Sequence, residues 1–152
     1  MSMEYDKNDR LIALGEIAGA LAFVGFWIGW FLGFLKALEP DNAAYDSYID
    51  FESAFPIPDT WIVALLLISA YGILRNEPFG RLVAIAAGGA LVFLGLVDIS
   101  FNFQQNIYSY DPLAFALNII CVASGIFLIA WFISFSSTCE KKELEINRPS
   151  KD

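Results

Sequence analysis

Residues 82–101 read LVAIAAGGALVFLGLVDISF, and this stretch decides the fold. It runs for 20 residues with a single charge, Asp98. A helix rises about 1.5 Å per residue, so roughly 20 mostly apolar residues cross ~30 Å of hydrocarbon. Outward from it lie three more apolar runs, at residues 11–35, 59–74 and 113–135. The run at 59–74 is short for a span. All six prolines fall outside the four runs, as expected of a residue that lacks an N–H and clashes inside a helix. The charged share is 17%, against about a quarter in soluble domains, and 57% of the chain is hydrophobic.

These patterns predict an all-α integral membrane protein with one four-helix transmembrane domain over residues 1–139. An outer loop at 36–58 and a polar cytoplasmic tail at 140–152 complete it. The links at 75–81 and 102–112 are short, which makes successive helices antiparallel neighbours in an up-down bundle.

Lys and Arg set the expected orientation. Lys7 and Arg10 precede the first run, Arg75 and Arg81 flank the middle link, and Lys141, Lys142, Arg148 and Lys151 lie in the tail. Only Lys36 falls on the other side. Positive residues stay cytoplasmic in short loops, so both termini are expected inside, most simply in the cell membrane. The opposite face is acidic, and the chain's net charge of −8 excludes nucleic acid as a natural partner. Lys7 and Arg10 before an apolar stretch also match the order of a signal peptide. The run is longer than the usual ~7–15 residues and contains Glu16, so it reads as a retained span.

Two local matches suggest tandem helical hairpins in parallel orientation. Residues 18–25 (AGALAFVG) read against 88–95 (GGALVFLG), and 70–73 (AYGI) against 123–126 (ASGI). Gly, Ala, Leu and Phe fill any membrane helix, so chance explains the matches equally well.

Small residues let helices approach closely in lipid. Gly25, Gly29 and Gly33 repeat every four residues, predicting a packing stripe within the bundle or between copies. Polar groups inside the runs are costly and tend to be functional. Glu16 lies about 8 Å inside the first run at ~1.5 Å per residue, and Tyr71 at similar depth is its expected partner. Asp98, Asn102 and Gln105 share a helical face near the outer end of the third run. Asn118 enters to a comparable depth, and Asp59 and Trp61 cap the group. This is the expected ligand site, suited to a small or cationic head group; the alternative is an interhelical hydrogen-bond tie. In the outer loop, Tyr45, Tyr48, Phe51 and Phe55 alternate with Asp46, Asp50 and Glu52. That spacing predicts a short amphipathic helix, aromatics toward the membrane and acids toward water.

The chain has no histidine and no C-x-x-C, and it carries no metal or cofactor motif. Three functions follow in order of expectation. The first is an assembly or accessory module, acting as a homo-oligomer or with a membrane partner. The second is a binder or carrier of a small or lipid-like molecule around Asp98. The third is an intramembrane enzyme, which lacks a nucleophile–base pair.

Overall fold

The computed structural model describes residues 5–35 and 38–146, with side chains through residue 134. Lys36 and residues 147–152 of the tail lie outside the described residues. The elements are α1 (Lys7–Phe31), α2 (Tyr45–Glu52), α3 (Pro56–Leu74), α4 (Phe79–Gln104), a 3₁₀ turn (Ile107–Ser109) and α5 (Pro112–Ile146). No strand occurs among the described residues. By length and composition, α1, α3, α4 and Pro112–Ser134 of α5 are able to cross a membrane.

The helix ends are set by local chemistry rather than by where the apolar runs begin and end. α1 starts at Lys7, four residues ahead of the apolar run, because Asp6 and Asp9 form a capping box. Asp6 Oδ1 accepts from the Asn8 and Asp9 N–H groups, and Asp9 Oδ2 accepts from Asp6 N–H. α1 ends at Phe31 instead of residue 35. Gly33 adopts φ +78 there, its N–H donates to Trp30 O, and Phe34 N–H donates to Gly29 O. This is a Schellman stop, and glycine is the residue that enters the left-handed region without strain. Asn76 ends α3 in the same way at φ 57, with Asn76 N–H on Ile73 O and Glu77 N–H on Gly72 O. α3 gains a first turn from Pro56, which suits the start of a helix.

The four long helices pack in chain order, α1 on α3, α3 on α4 and α4 on α5; α1 and α5 make no comparable contact. Burial follows from that order. Some 39% of the most apolar window of α3 and 33% of that of α4 is buried, against 22% for α1 and 17% for α5, so α3 and α4 are central. At one end of the bundle Tyr5 is clasped by the α3–α4 turn. Its N–H donates to Asn76 Oδ1, its hydroxyl donates to Glu77 O, and the hydroxyl accepts from Arg81 N–H. At the other end α2 lies across α4, with Phe51 stacked on Phe101 at 3.7 Å between ring centroids. Tyr48 and Ile107 are buried beside Trp30 there. Large apolar side chains cover the outer surface, among them Leu21, Phe93 and Phe103. A continuous apolar coat of this kind suits lipid and not water.

The segments matched as an internal repeat meet different neighbours. Gly125 of α5 lies against Gly88 of α4, whereas its counterpart Gly72 lies against Gly80, also on α4. Gly95 meets Val122, whereas its counterpart Gly25 meets open space.

Candidate ligand cavity between α1 and α5

Because α1 and α5 stand apart over most of their length, a cavity of about 880 Å³ opens between them, floored by α3 and α4 and roofed at one end by α2. This volume lies in the ~300–1,000 Å³ range of small-molecule sites. Lining residues such as Gly15 and Ala22 on α1 and Leu117 and Ser124 on α5 stay exposed, so the cavity is open along its side.

At the α2 end the polar lining consists of Glu52, Asp59, Asp98, Asn102, Asp111 and Asn118. Asp59 projects from the first turn of α3 and is 5% exposed. Its Oδ2 accepts from Trp27 Nε1 of α1 at 2.9 Å, while its Oδ1 is buried with no partner among the described residues. Asn102, one helical turn beyond Asp98 on α4, is also 5% exposed, and its Oδ1 has no partner among the described residues either. Asn118 Nδ2 donates to Tyr108 OH at 3.1 Å, which holds the start of α5 to the segment before it.

Glu16 lines the cavity toward the Tyr5 end. It is 4% exposed, and Ser69 Oγ contacts its two carboxylate oxygens at 2.8 and 2.9 Å. Two helical turns before Glu16 in α1, Trp131 Nε1 of α5 donates to Asp9 Oδ1 at 2.8 Å, so the two outer helices meet there.

Several expected positions fall elsewhere. Tyr71 is not the partner of Glu16: it is exposed, with Arg75 5.6 Å from its ring centre. The two residues from Ser69 to Tyr71 turn a helix by about 200°, so only Ser69 can face α1. Trp61 is 63% exposed and points away from the cavity group, two residues past Asp59 for the same reason. Gln105 caps the end of α4 and does not line the cavity. Of the glycine stripe, Gly25 faces open space, Gly29 sits under Leu35, and Gly33 belongs to the helix stop. The three form no helix–helix contact among the described residues.

Glu52 is a cavity residue that the expected ligand site lacked, and Trp27, which holds Asp59 from α1, was absent from it too. α2 is a short helix, but its acids do not all face water. Tyr48, Glu52 and Phe55 lie four and three residues apart and all line the cavity. That spacing was legible as a single face. Burial pushes the Glu52 carboxyl up from 4.5 to about 8, and the nearby Asp98 and Asp59 carboxylates add to the rise. A carboxyl with a raised folded-state pKa stabilises below its unfolded value and loses that contribution as pH climbs through the folded value. Stability should therefore fall between pH 4.5 and about 8 through this group. In thermal unfolding at stepped pH, Glu52→Gln should remove that part of the slope and leave the variant relatively more stable above pH 8. Parallel wild-type and variant curves would contradict it.

No family model matches this chain. Neither does any curated protein or solved structure.

Proposed function

We propose that this chain is a four-span protein of the cell membrane, with both termini cytoplasmic, that binds or carries a small lipid-like molecule between its first and last spans. The observation that carries this reading is the α1–α5 cavity, apolar along its length with buried polar groups concentrated at the α2 end. An amphiphile already dissolved in the bilayer reaches such a site from the side. Buried acceptors without partners are costly, and a bound head group is one way to satisfy them. Under the Lys/Arg bias the α2 end belongs to the outer leaflet.

Assembly through α1 is the second reading, favoured by the open space over Gly15 and Gly25. Both arrangements can be probed in native lipid. Mass spectrometry of the purified protein should find a co-purified small molecule in stoichiometric amount. Ala123→Trp fills the exposed side of the cavity and should abolish it. Retention of the molecule by that variant, or a stoichiometric protein in its place, would defeat the cavity reading.

The orientation has its own test. With Cys121 and Cys139 replaced by Ala, single cysteines at Ser47 and Glu77 should label from opposite sides of the membrane. Labelling from one side would overturn the topology.

A further inference from the structure

Among the described residues the cavity is lined by five carboxyl groups, those of Glu16, Glu52, Asp59, Asp98 and Asp111, and by no Lys or Arg. A phosphate or carboxylate head group would find no cation to pair with among these residues and would be repelled by each acid that ionises. A neutral head group would supply no counter-charge to any of these acids that ionises, the costly arrangement in a low-dielectric site. The acids do not converge as metal ligands do: among the described residues no three His, Cys, Asp or Glu side chains are placed to hold a metal ion. The remaining complement is an organic cation.

The unpartnered atoms narrow the class further. Asp59 Oδ1 and Asn102 Oδ1 are both acceptors, on residues that are 95% buried and line the same end of the cavity. Acceptors need N–H or O–H donors. A protonated amine supplies both the positive charge and the N–H groups, and such charge-assisted bonds are the stronger kind. A quaternary ammonium supplies the charge alone. Trp27 already holds the other oxygen of Asp59, so one lone-pair face of that carboxylate is kept for a ligand. Away from this group the walls are apolar, with Phe23, Leu66, Leu91 and Phe127 among them. The α1 wall runs from Leu11 to Phe26, about 22 Å at ~1.5 Å per residue.

Resting on the cavity-binder reading, we propose that the ligand is a protonated primary or secondary amine on an apolar chain. Its ammonium group lies among Glu52, Asp59, Asp98 and Asn102, and its chain extends along the groove toward Glu16.

Four probes with ten-carbon chains test this on the full-length protein in neutral detergent: decylamine, decyltrimethylammonium, decanol and decyl sulfate. Binding is read as the concentration-dependent rise in thermal midpoint and by native mass spectrometry. Decylamine should bind at least ten-fold more tightly than each of the others. Asp98→Asn should bring its affinity down to that of decanol while leaving the unliganded midpoint in place. If Asp98→Asn fails to fold, Glu52→Gln serves as the second variant with the same expected loss. Equal binding of decylamine and decyltrimethylammonium would overturn the donor argument and the proposal with it. Equal binding of decylamine and decanol, both lost in Ala123→Trp, would overturn the amine class and leave the cavity reading standing. No binding by any probe would remove both.

Discussion

Gly88→Leu is expected to cost about 3 kcal/mol of stability, at the upper end of what overpacking causes. The contact is backbone against backbone. A Cβ at Gly88 would lie 2.7 Å from Gly125 O, and a Cβ at Gly125 would lie 2.5 Å from Gly88 O and 2.9 Å from Val92 N. A flexible side chain could move aside; a helix backbone cannot, so α4 and α5 must separate. In lipid there is little hydrophobic drive to hold them together, and close packing of small residues carries the association. The loss should appear as a lower denaturation midpoint in SDS titration. Gly25→Leu is the matched control, because among the described residues nothing lies within 4 Å of a Cβ at that position. Equal losses from the two substitutions would refute the α4–α5 contact.

Ser69→Ala is expected to cost about 2 kcal/mol, because it strips the hydrogen-bond partner from a buried acid. Ser69 is fully buried between Glu16 of α1 and the backbone of α4, where its Oγ lies 3.2 Å from Gly80 O. Removing both polar groups should be milder than removing one, since an orphaned acid costs more than an apolar pair of similar shape. Glu16→Leu/Ser69→Ala should therefore be more stable than Ser69→Ala alone, with a coupling of about 1 kcal/mol or more in the cycle. Additive losses would show that the two side chains do not depend on each other.

Both expectations concern residues that were visible in the chain without their partners being visible. Glu16 was conspicuous because an acid inside an apolar run is expensive. Which side chain answers it depends on rotation about α3, and Ser69 and Tyr71 differ there by more than half a turn. The glycines of residues 82–101 and 113–135 looked no different from those of residues 11–35. Gly88 and Gly125 became a contact only because α4 and α5 are neighbours, while Gly25 was left on an open face. Gly33 shows a different failure of spacing arguments. It continues the four-residue repeat, yet its left-handed backbone ends the helix.

By itself the sequence determined that four helices form, since apolar length and proline exclusion are local properties of the chain. It also located Asp59, Asp98, Asn102 and Asn118 as polar groups near one end of those helices. Only the tertiary structure decided that α1 and α5 stand apart, that Glu52 turns inward from α2, and that Trp27 takes one oxygen of Asp59 and leaves the other unpartnered. Those outcomes depend on the order in which the helices pack and on the rotation of each about its own axis. An apolar run with little facial bias carries almost no information about either.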